Sequence, residues 1–359
     1  MFFLKTFICY KAEMSVIFAM LLTLLPLLFF GGMALVNCRK SETNFFGKEY
    51  TTVLKGFCAL FVVYVHFREP YTNSVQDALG SFGYVAVTIF FLISSYGMLY
   101  AMDRKKDYMK FFFRNRLSSL LIPCLLINCL AFLFHSYVAH AWVGLRVLYQ
   151  INDYVLVLLQ YCLFFYVVKY CERKWFPSNT VLSDAILLIG VSLSSLILYF
   201  FVFEDISSRS GWCFERMGLV WGILLYRYYD GFVMWMSRHR MVKIVVLSIV
   251  SLALGLLYLK YKSVFFWGEY LMKIILGISL ILLCFVLTSK YRFDNKVNNW
   301  LGDISYEVYL LHGLVIYVLA MYCPDMKSEL FIPLTFVVVL ILGTIFHSIA
   351  KPIVNLLRK

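Results

Sequence analysis

Long apolar runs separated by short polar segments recur along the chain, and most runs have the length of one membrane span. A span needs about 20 mostly apolar residues, with some variation for tilt. Eleven runs are close to this length: residues 14–36, 53–67, 81–102, 117–138, 153–171, 181–203, 212–229, 242–260, 269–289, 303–323 and 331–350. The pattern predicts an all-α polytopic membrane bundle of about 11 transmembrane helices.

Composition favours lipid rather than water as the solvent for most of the chain. Of the 359 residues, 62% are hydrophobic and 15% are charged, and the mean hydropathy is +0.81. A water-soluble core of this size could not hide so much apolar surface. We therefore assign nearly the whole chain to one membrane domain.

The distribution of the net charge of +13 indicates membrane topology rather than nucleic-acid binding. Lys and Arg lie in short loops, and five basic loops alternate with five loops that are poor in basic residues. Because Lys and Arg accumulate on the cytoplasmic side, the alternation predicts a multi-pass inner-membrane protein with a cytoplasmic C-terminus. The 103–116 loop has six basic residues: Arg104, Lys105, Lys106, Lys110, Arg114 and Arg116.

The first apolar run, residues 14–36, is interpreted as an accessory membrane helix. It is long for a signal peptide and lacks an A-x-A cleavage site, although Met14 is an alternative start. We predict that residues 1–50 contain this helix and a cytoplasmic linker, and that residues 51–359 form the main membrane domain.

Ionisable residues inside the spans are the first candidates for chemistry, because charge is costly in lipid. His66 ends the second run, and Lys55 lies eleven residues earlier on nearly the same helical face, roughly 16 Å away along the axis. Imidazole can take a proton from a sugar hydroxyl near neutral pH. An interfacial histidine with a snorkelling lysine would give the same pattern, and the residues alone fit both interpretations.

A second candidate is the polar stripe of Ser305, Tyr309 and His312, which follow i, i+4, i+7 spacing. A stripe facing lipid would be costly, so we expect it to face the bundle interior. Hydrogen bonding between helices accounts for Ser and Tyr better than for His.

Two further charged sets have simpler explanations, and a third remains a candidate site. Arg114 and Arg116 could bind phosphate bidentately, but basic residues belong at any cytoplasmic helix end, and that explanation is favoured for the loop alone. Glu269 and Lys273 form an i, i+4 pair that we expect only to neutralise each other. The adjacent residues Glu215 and Arg216 are kept as a candidate cavity pair.

None of the ten cysteines forms a C-x-x-C pair, and no His/Cys cluster has zinc spacing. Cysteine packs well as a small buried hydrophobe. The sequence therefore predicts no metal site.

Four segments, in order, resemble motifs of the membrane acyltransferase-3 family, which includes bacterial O-acetyltransferases of surface polysaccharides. Residues 54–66 resemble a motif in which His follows a basic residue by eleven positions, and 90–96 resemble F-F-x-x-S-G-[FY], with Ser94 as a substrate or structural polar group. Residues 112–123 resemble a basic loop that leads into a helix containing Pro. Residues 304–312 resemble I-S-Y-x-x-Y-L-x-H.

The resemblance implies an enzyme with a ten-helix core and both core ends cytoplasmic, which transfers acyl groups other than aminoacyl groups. The donor would be acetyl-CoA or another acyl-CoA, used as a substrate rather than a permanently bound cofactor. The acceptor would be an extracytoplasmic glycan or glycolipid. The protein would also contact membrane lipid.

By the same resemblance, His66 is the essential histidine and Lys55 replaces a usual Arg. Arg114 and Arg116 would contact acyl-CoA, although Ser119 stands where a second motif arginine is usual, and Ser95 replaces a usual Gly.

Two other functions fit a polar membrane bundle. A transporter or flippase of a lipid-linked saccharide should show inverted repeats and Gly/Pro-broken helices; neither is evident, and the chain has only seven Pro. A scaffold without enzymatic activity is disfavoured by the His and basic motifs. For the enzyme, His66 is expected to act either as a general base or as a transient acyl carrier.

Overall fold

The structure is a computed structural model that describes residues 39–40, 45–68, 70–72, 74–138, 145–175, 177, 180–202 and 213–358. The predicted span 14–36 and the alternative start Met14 lie outside these residues. The α-helices of the described part are α1 (Lys48–Val65), α2 (Ser74–Gly80), α3 (Tyr84–Arg104), α4 (Phe112–Leu133), α5 (Arg146–Tyr149), α6 (Asp153–Trp175), α7 (Thr180–Ile197), α8 (Met217–Arg227), α9 (Tyr229–Ser237), α10 (Arg240–Tyr261), α11 (Met272–Thr288), α12 (Lys296–Asp303), α13 (Ser305–Tyr322) and α14 (Ser328–Leu357). Two two-residue strands, β1 (Arg39–Lys40) and β2 (Tyr291–Arg292), pair antiparallel.

Eight helical segments of the described part are long and apolar enough to cross a membrane: Gln76–Arg104, Phe112–Tyr137, Asp153–Trp175, Thr180–Phe201, Arg240–Tyr261, Trp267–Thr288, Ser305–Tyr322 and Ser328–Leu357. The predicted all-α polytopic membrane bundle is thus confirmed. Two more predicted spans are helices with weaker membrane character. Most of the 53–67 run lies in α1, which carries three charged residues in 18, and the 212–229 run contains α8, which has 11 residues.

Three π-helical turns extend or precede regular helices in the described part of the chain, and the apolar pattern did not predict them. Phe134–Val138 continues α4, Leu198–Val202 continues α7, and Trp267–Leu271 leads into α11. The turn before α11 follows Phe266, which has a positive φ of 55°. Such turns occur frequently at functional sites.

The chain divides into two compact units. The first contains the described residues of 1–83, 126–147 and 291–350, and the second those of 84–125, 148–290 and 351–359. In the first unit α1 packs against α12 and α13. Glycines allow the close approach, since a β-carbon on Gly302 would lie 2.1 Å from the carbonyl oxygen of Thr52, and one on Gly56 would lie 3.0 Å from the Gly302 nitrogen.

In the second unit α8 packs tightly against α3 through Gly218 and Gly222, four residues apart. Small residues at this spacing let the backbones of two membrane helices approach closely. A β-carbon on Gly222 would lie 2.0 Å from Ser95 Oγ and 2.3 Å from the Leu92 carbonyl oxygen. Gly222 therefore accommodates the buried Ser95 side chain, which replaces a glycine in the motif that this segment resembles.

A buried ion network joins α6, α7 and α8. Lys169 is 0% exposed, and its Nζ donates to Glu172 Oε2 at 2.7 Å, Ser183 Oγ at 2.7 Å and Asp184 Oδ1 at 2.9 Å. Arg227 of α8 also pairs with Asp184. Each charge has a partner of opposite sign, so the loss of one member would leave another buried charge without its partner.

Candidate active site

His66 follows the last residue of α1 and serves as its C-cap. Its Nδ1 lies 2.7 Å from the carbonyl oxygen of Val62, one helical turn earlier. Because a carbonyl oxygen only accepts, Nδ1 carries the hydrogen and donates it. The neutral ring therefore keeps its lone pair on Nε2, the atom that could accept a proton from a substrate.

His312 lies against His66 within the first unit. The two ring centroids are 4.5 Å apart, with an angle of 70° between the ring planes. His312 is buried in α13, and its Nδ1 donates to the carbonyl oxygen of Tyr309. The two motif histidines therefore form one pair, and in each ring Nδ1 is hydrogen-bonded to a backbone carbonyl oxygen of its own helix.

The predicted polar stripe of α13 is buried along its length, in agreement with the expectation that it faces protein. Ser305, Tyr309 and His312 all belong to the buried set. The Ser305 hydroxyl donates to the Gly302 carbonyl at 2.7 Å, so it secures the junction between α12 and α13. The Tyr309 ring lies 5.6 Å from the His312 ring, which places Tyr309 beside the histidine pair.

Lys55 lies three turns before His66 on α1, in an acidic environment. It interacts electrostatically with Asp303 and Glu307. Glu307 is buried in α13 and accepts a hydrogen bond from His347 Nδ1 at 3.1 Å. The first unit therefore holds a second polar group besides the histidine pair.

Asp303, Glu307 and His347 were missed as a group by the sequence analysis. Glu307 belongs to the stretch that resembles the family signature, but its hydrogen-bond partner is 40 positions away. An unpaired acid in an apolar helix is the signal that could have marked it. No local pattern could have supplied His347 as its partner.

The predicted acyl-CoA contacts lie in the second unit. Arg114 is exposed, and its guanidinium carbon lies 4.6 Å from the centroid of the Phe111 ring. Arg116 Nη2 donates to the Tyr108 hydroxyl at 3.2 Å. Burial raises the pKa of Tyr108, an effect that the nearby Arg116 charge opposes, so the phenol is a neutral hydrogen-bond partner of the arginine at physiological pH.

Ser94, the remaining predicted polar group, also belongs to the second unit. Its hydroxyl donates to the Phe90 carbonyl at 2.8 Å within α3. This bond is the usual local contact of a serine in a membrane helix. Across the described ranges, no three His, Cys, Asp or Glu side chains come together as metal ligands.

Apolar helices around the exposed His66 and the buried His312 define a multi-pass membrane protein with acid–base groups among its helices. The family model described as an acyltransferase domain, that of acyltransferase-3, matches residues 48–350. The chain belongs to this family and is an acyltransferase that transfers groups other than aminoacyl groups. No curated protein and no solved structure matches the chain.

Proposed function

We propose that the protein transfers an acyl group, most simply acetyl, from cytoplasmic acyl-CoA to a hydroxyl of an extracytoplasmic glycan or glycolipid. The observation that carries the proposal is the pairing of His66 with His312, in which each Nδ1 is held by the backbone. General acid–base catalysis needs an imidazole of fixed orientation with one nitrogen available. A membrane acyltransferase must also place such a group where a hydroxyl can meet the acyl carbonyl.

The proposed orientation follows from the loop charges. The five basic loops lie on the cytoplasmic side of the inner membrane, together with the C-terminus. In this orientation α1 begins at the cytoplasmic side, and His66 lies at its extracytoplasmic end. The acyl group would then move from the cytoplasmic donor towards His66.

Two features of the start of α4 support donor binding there. Arg114 and Arg116 are the third and fifth residues of the helix, next to the positive end of its dipole. Positive side chains at this positive end destabilise a helix, whereas a bound anion stabilises it. The phosphates of acyl-CoA would supply the anion, and Arg can bind phosphate through two parallel hydrogen bonds.

In the chemical step, His66 Nε2 takes the proton of the acceptor hydroxyl while its oxygen attacks the thioester carbonyl carbon. The new ester C–O bond forms, the C–S bond breaks, and the coenzyme A thiolate receives the proton from His66. His312 orients the His66 ring, and the pair would resist double protonation because two cations so close repel each other.

An acyl-imidazole route has the same net balance. His66 Nε2 would first displace the thiolate, and the acceptor hydroxyl would then displace Nε2 from the acyl carbon. In both routes the cationic Lys55, supported by Asp303 and Glu307, would stabilise negative charge on the donor path along α1.

Mass spectrometry of surface glycans tests the proposal in a deletion strain complemented with wild type or His66→Ala. An acyl ester should vanish on deletion and return only with wild type. If His66→Ala restores the ester, the proposed mechanism is wrong. If the ester persists without the protein while glycan accumulates inside the cell, transport becomes the better function.

A further inference from the structure

Two arginines of the second unit are electrostatic neighbours, although they belong to distant parts of the chain. Arg116 is the fifth residue of α4, and Arg358 directly follows α14. Residues 351–359 belong to the same compact unit as residues 84–125. Neighbouring protein atoms lower the pKa of Arg358 by excluding water, and the positive charge of Arg116 lowers it further. Both guanidinium groups nevertheless stay protonated at physiological pH.

The backbone of α14 holds Arg358 in place. Its N–H donates to the Val354 carbonyl oxygen at 3.0 Å, the spacing of one more α-helical turn. Val354 itself is buried, which anchors this turn. The Arg358 side chain is exposed, so a ligand that arrives from the predicted cytoplasmic side can reach it.

Arg116 is held from the other side of the pair. Its hydrogen bond to the Tyr108 hydroxyl fixes the guanidinium and uses one of its five donors. The groups that act most strongly on its charge are two phenols and a thiol, those of Tyr108, Tyr161 and Cys162. Among the described residues, neither arginine of the pair forms an ion pair with a carboxylate.

Two other sets of basic residues in the second unit do have acidic neighbours. The ion network of α6, α7 and α8 contains two acids for two bases. Lys273, in the first turn of α11, interacts electrostatically with Glu215 and Glu269, and Arg216 interacts with Glu215. We call these four residues the cluster before α8. Against both sets, the two arginines at α4 and α14 stand out because each has a cation rather than an acid as its charged neighbour.

An anion is the ligand that this arrangement favours. Two cations held close together repel each other, and an anion bound between them removes the repulsion. The start of α4 adds the positive end of a helix dipole. Guanidinium groups bind phosphate through parallel N–H donors. Topology accounts for a basic residue at any cytoplasmic helix end, but it does not bring two such residues together.

We propose that Arg358 is a second donor-binding arginine and that, together with Arg116, it binds a phosphate group of acyl-CoA. This inference rests on the proposed function and deepens it. Ser119 stands where a second arginine is usual in the motif that this segment resembles, and its hydroxyl donates to the carbonyl oxygens of Asn115 and Arg116. The end of the chain would thus provide the cation that position 119 lacks.

Isothermal titration calorimetry on the full chain in nanodiscs tests the proposal without acyl transfer. The probes are coenzyme A and dephospho-coenzyme A, which lacks the 3′-phosphate. Arg358→Gln should raise the Kd for coenzyme A about tenfold, as expected for the loss of a charge-assisted hydrogen bond. Arg358→Lys keeps the charge without the planar fork and should lie between wild type and Arg358→Gln.

The second probe identifies the phosphate. If Arg358→Gln also weakens binding of dephospho-coenzyme A about tenfold, the arginines bind the pyrophosphate. If it leaves that Kd unchanged, they bind the 3′-phosphate. Either result supports the proposal, since both place a phosphate at Arg358.

Arg238→Gln is the matched control, because it makes the same change at an exposed arginine of the same unit. It should leave the Kd for coenzyme A within about twofold of wild type. The inference alone is overturned if wild type binds coenzyme A and Arg358→Gln binds it equally well, or if Arg238→Gln weakens binding as much as Arg358→Gln does. If wild type does not bind coenzyme A, the donor assigned under the proposed function is wrong as well.

Discussion

Two sets of buried charges in the second unit differ in how completely they are satisfied. In the network of α6, α7 and α8, the Lys169 ammonium uses all three donors on Glu172, Ser183 and Asp184. In the cluster before α8, Glu215 keeps a carboxylate oxygen with no hydrogen-bond partner among the described residues. A set in which every polar group is hydrogen-bonded can only hold helices together. We call such a set saturated; a set with an unused acceptor can still bind a ligand.

The same distinction applies within the histidine pair of the first unit. The Nδ1 atoms of His66 and His312 are used by backbone carbonyls, so the helices fix both rings. The Nε2 atoms are the ones that remain for chemistry. Structural and chemical roles thus divide between the two nitrogens of each ring.

The largest effect is expected for His66→Asn, which tests whether the two nitrogens can be separated. The Asn amide can still donate to the Val62 carbonyl in place of Nδ1, but Nε2 is gone. Acyl transfer should fall about 10²–10⁴-fold, with an unchanged thermal midpoint. Release of free coenzyme A by the purified protein measures the rate.

His135→Gln is the matched control in the first unit, and it should retain activity within about twofold. Because His135 packs against Tyr317 with 5.6 Å between ring centroids, only a small stability change is expected. A His66→Asn enzyme with wild-type turnover would show that Nε2 is not the reacting atom.

Lys169→Met should produce the largest loss of stability, because it breaks a saturated set. Without the ammonium, Glu172 retains an uncompensated buried charge and Asp184 keeps only Arg227, and breaking a buried pair in this way costs about 3–5 kcal/mol. Thermal unfolding in nanodiscs measures the change. The control variant Lys174→Met, at an exposed position of the same helix, should have a free energy of unfolding within about 0.5 kcal/mol of wild type. If the two variants lose equal stability, the hydrogen bonds of Lys169 do not distinguish the two sets of charges.

Much of the fold follows from the sequence because lipid imposes a simple rule on span length. Apolar runs such as 242–260 and 331–350 lie within α10 and α14. The π-helical turns and the positive φ of Phe266 could not be predicted, since they depend on packing between distant segments. Tyr199, which bonds the Phe266 amide, is 67 positions away.

The candidate site was predictable only where its residues follow local motifs. Spacing and resemblance identified His66 and His312, and the structure joins them. The same spacing placed Lys55 on the helical face of His66. Its acidic neighbours come from α12 and α13, so they could be identified only from the tertiary structure. Glu215 was noted beside Arg216, yet its relation to Lys273 of another helix was not visible.

Gly222→Ala should perturb both charge sets, because α8 begins next to Arg216 and ends at Arg227. The added methyl would clash with Ser95 Oγ and the Leu92 carbonyl, and overpacking of this kind costs about 1–3 kcal/mol. Gly97→Ala on α3 is the matched control, since a β-carbon there meets nothing within 4 Å. If both variants unfold at the wild-type temperature, the contact of α3 with α8 does not support either set.

Arg116 is intermediate between the two sets of charges, since its described hydrogen bond to Tyr108 uses one of five guanidinium donors. If the other donors bind coenzyme A phosphate, Arg116→Gln should raise KM for acetyl-CoA about tenfold, or about 1.4 kcal/mol. Turnover should stay near wild type, because binding is lost equally in the ground and transition states. Tyr108→Phe separates the two roles: it removes the structural partner and should leave KM within about twofold. If Tyr108→Phe raises KM as much as Arg116→Gln does, the arginine acts through its tyrosine contact, and the donor phosphate binds elsewhere.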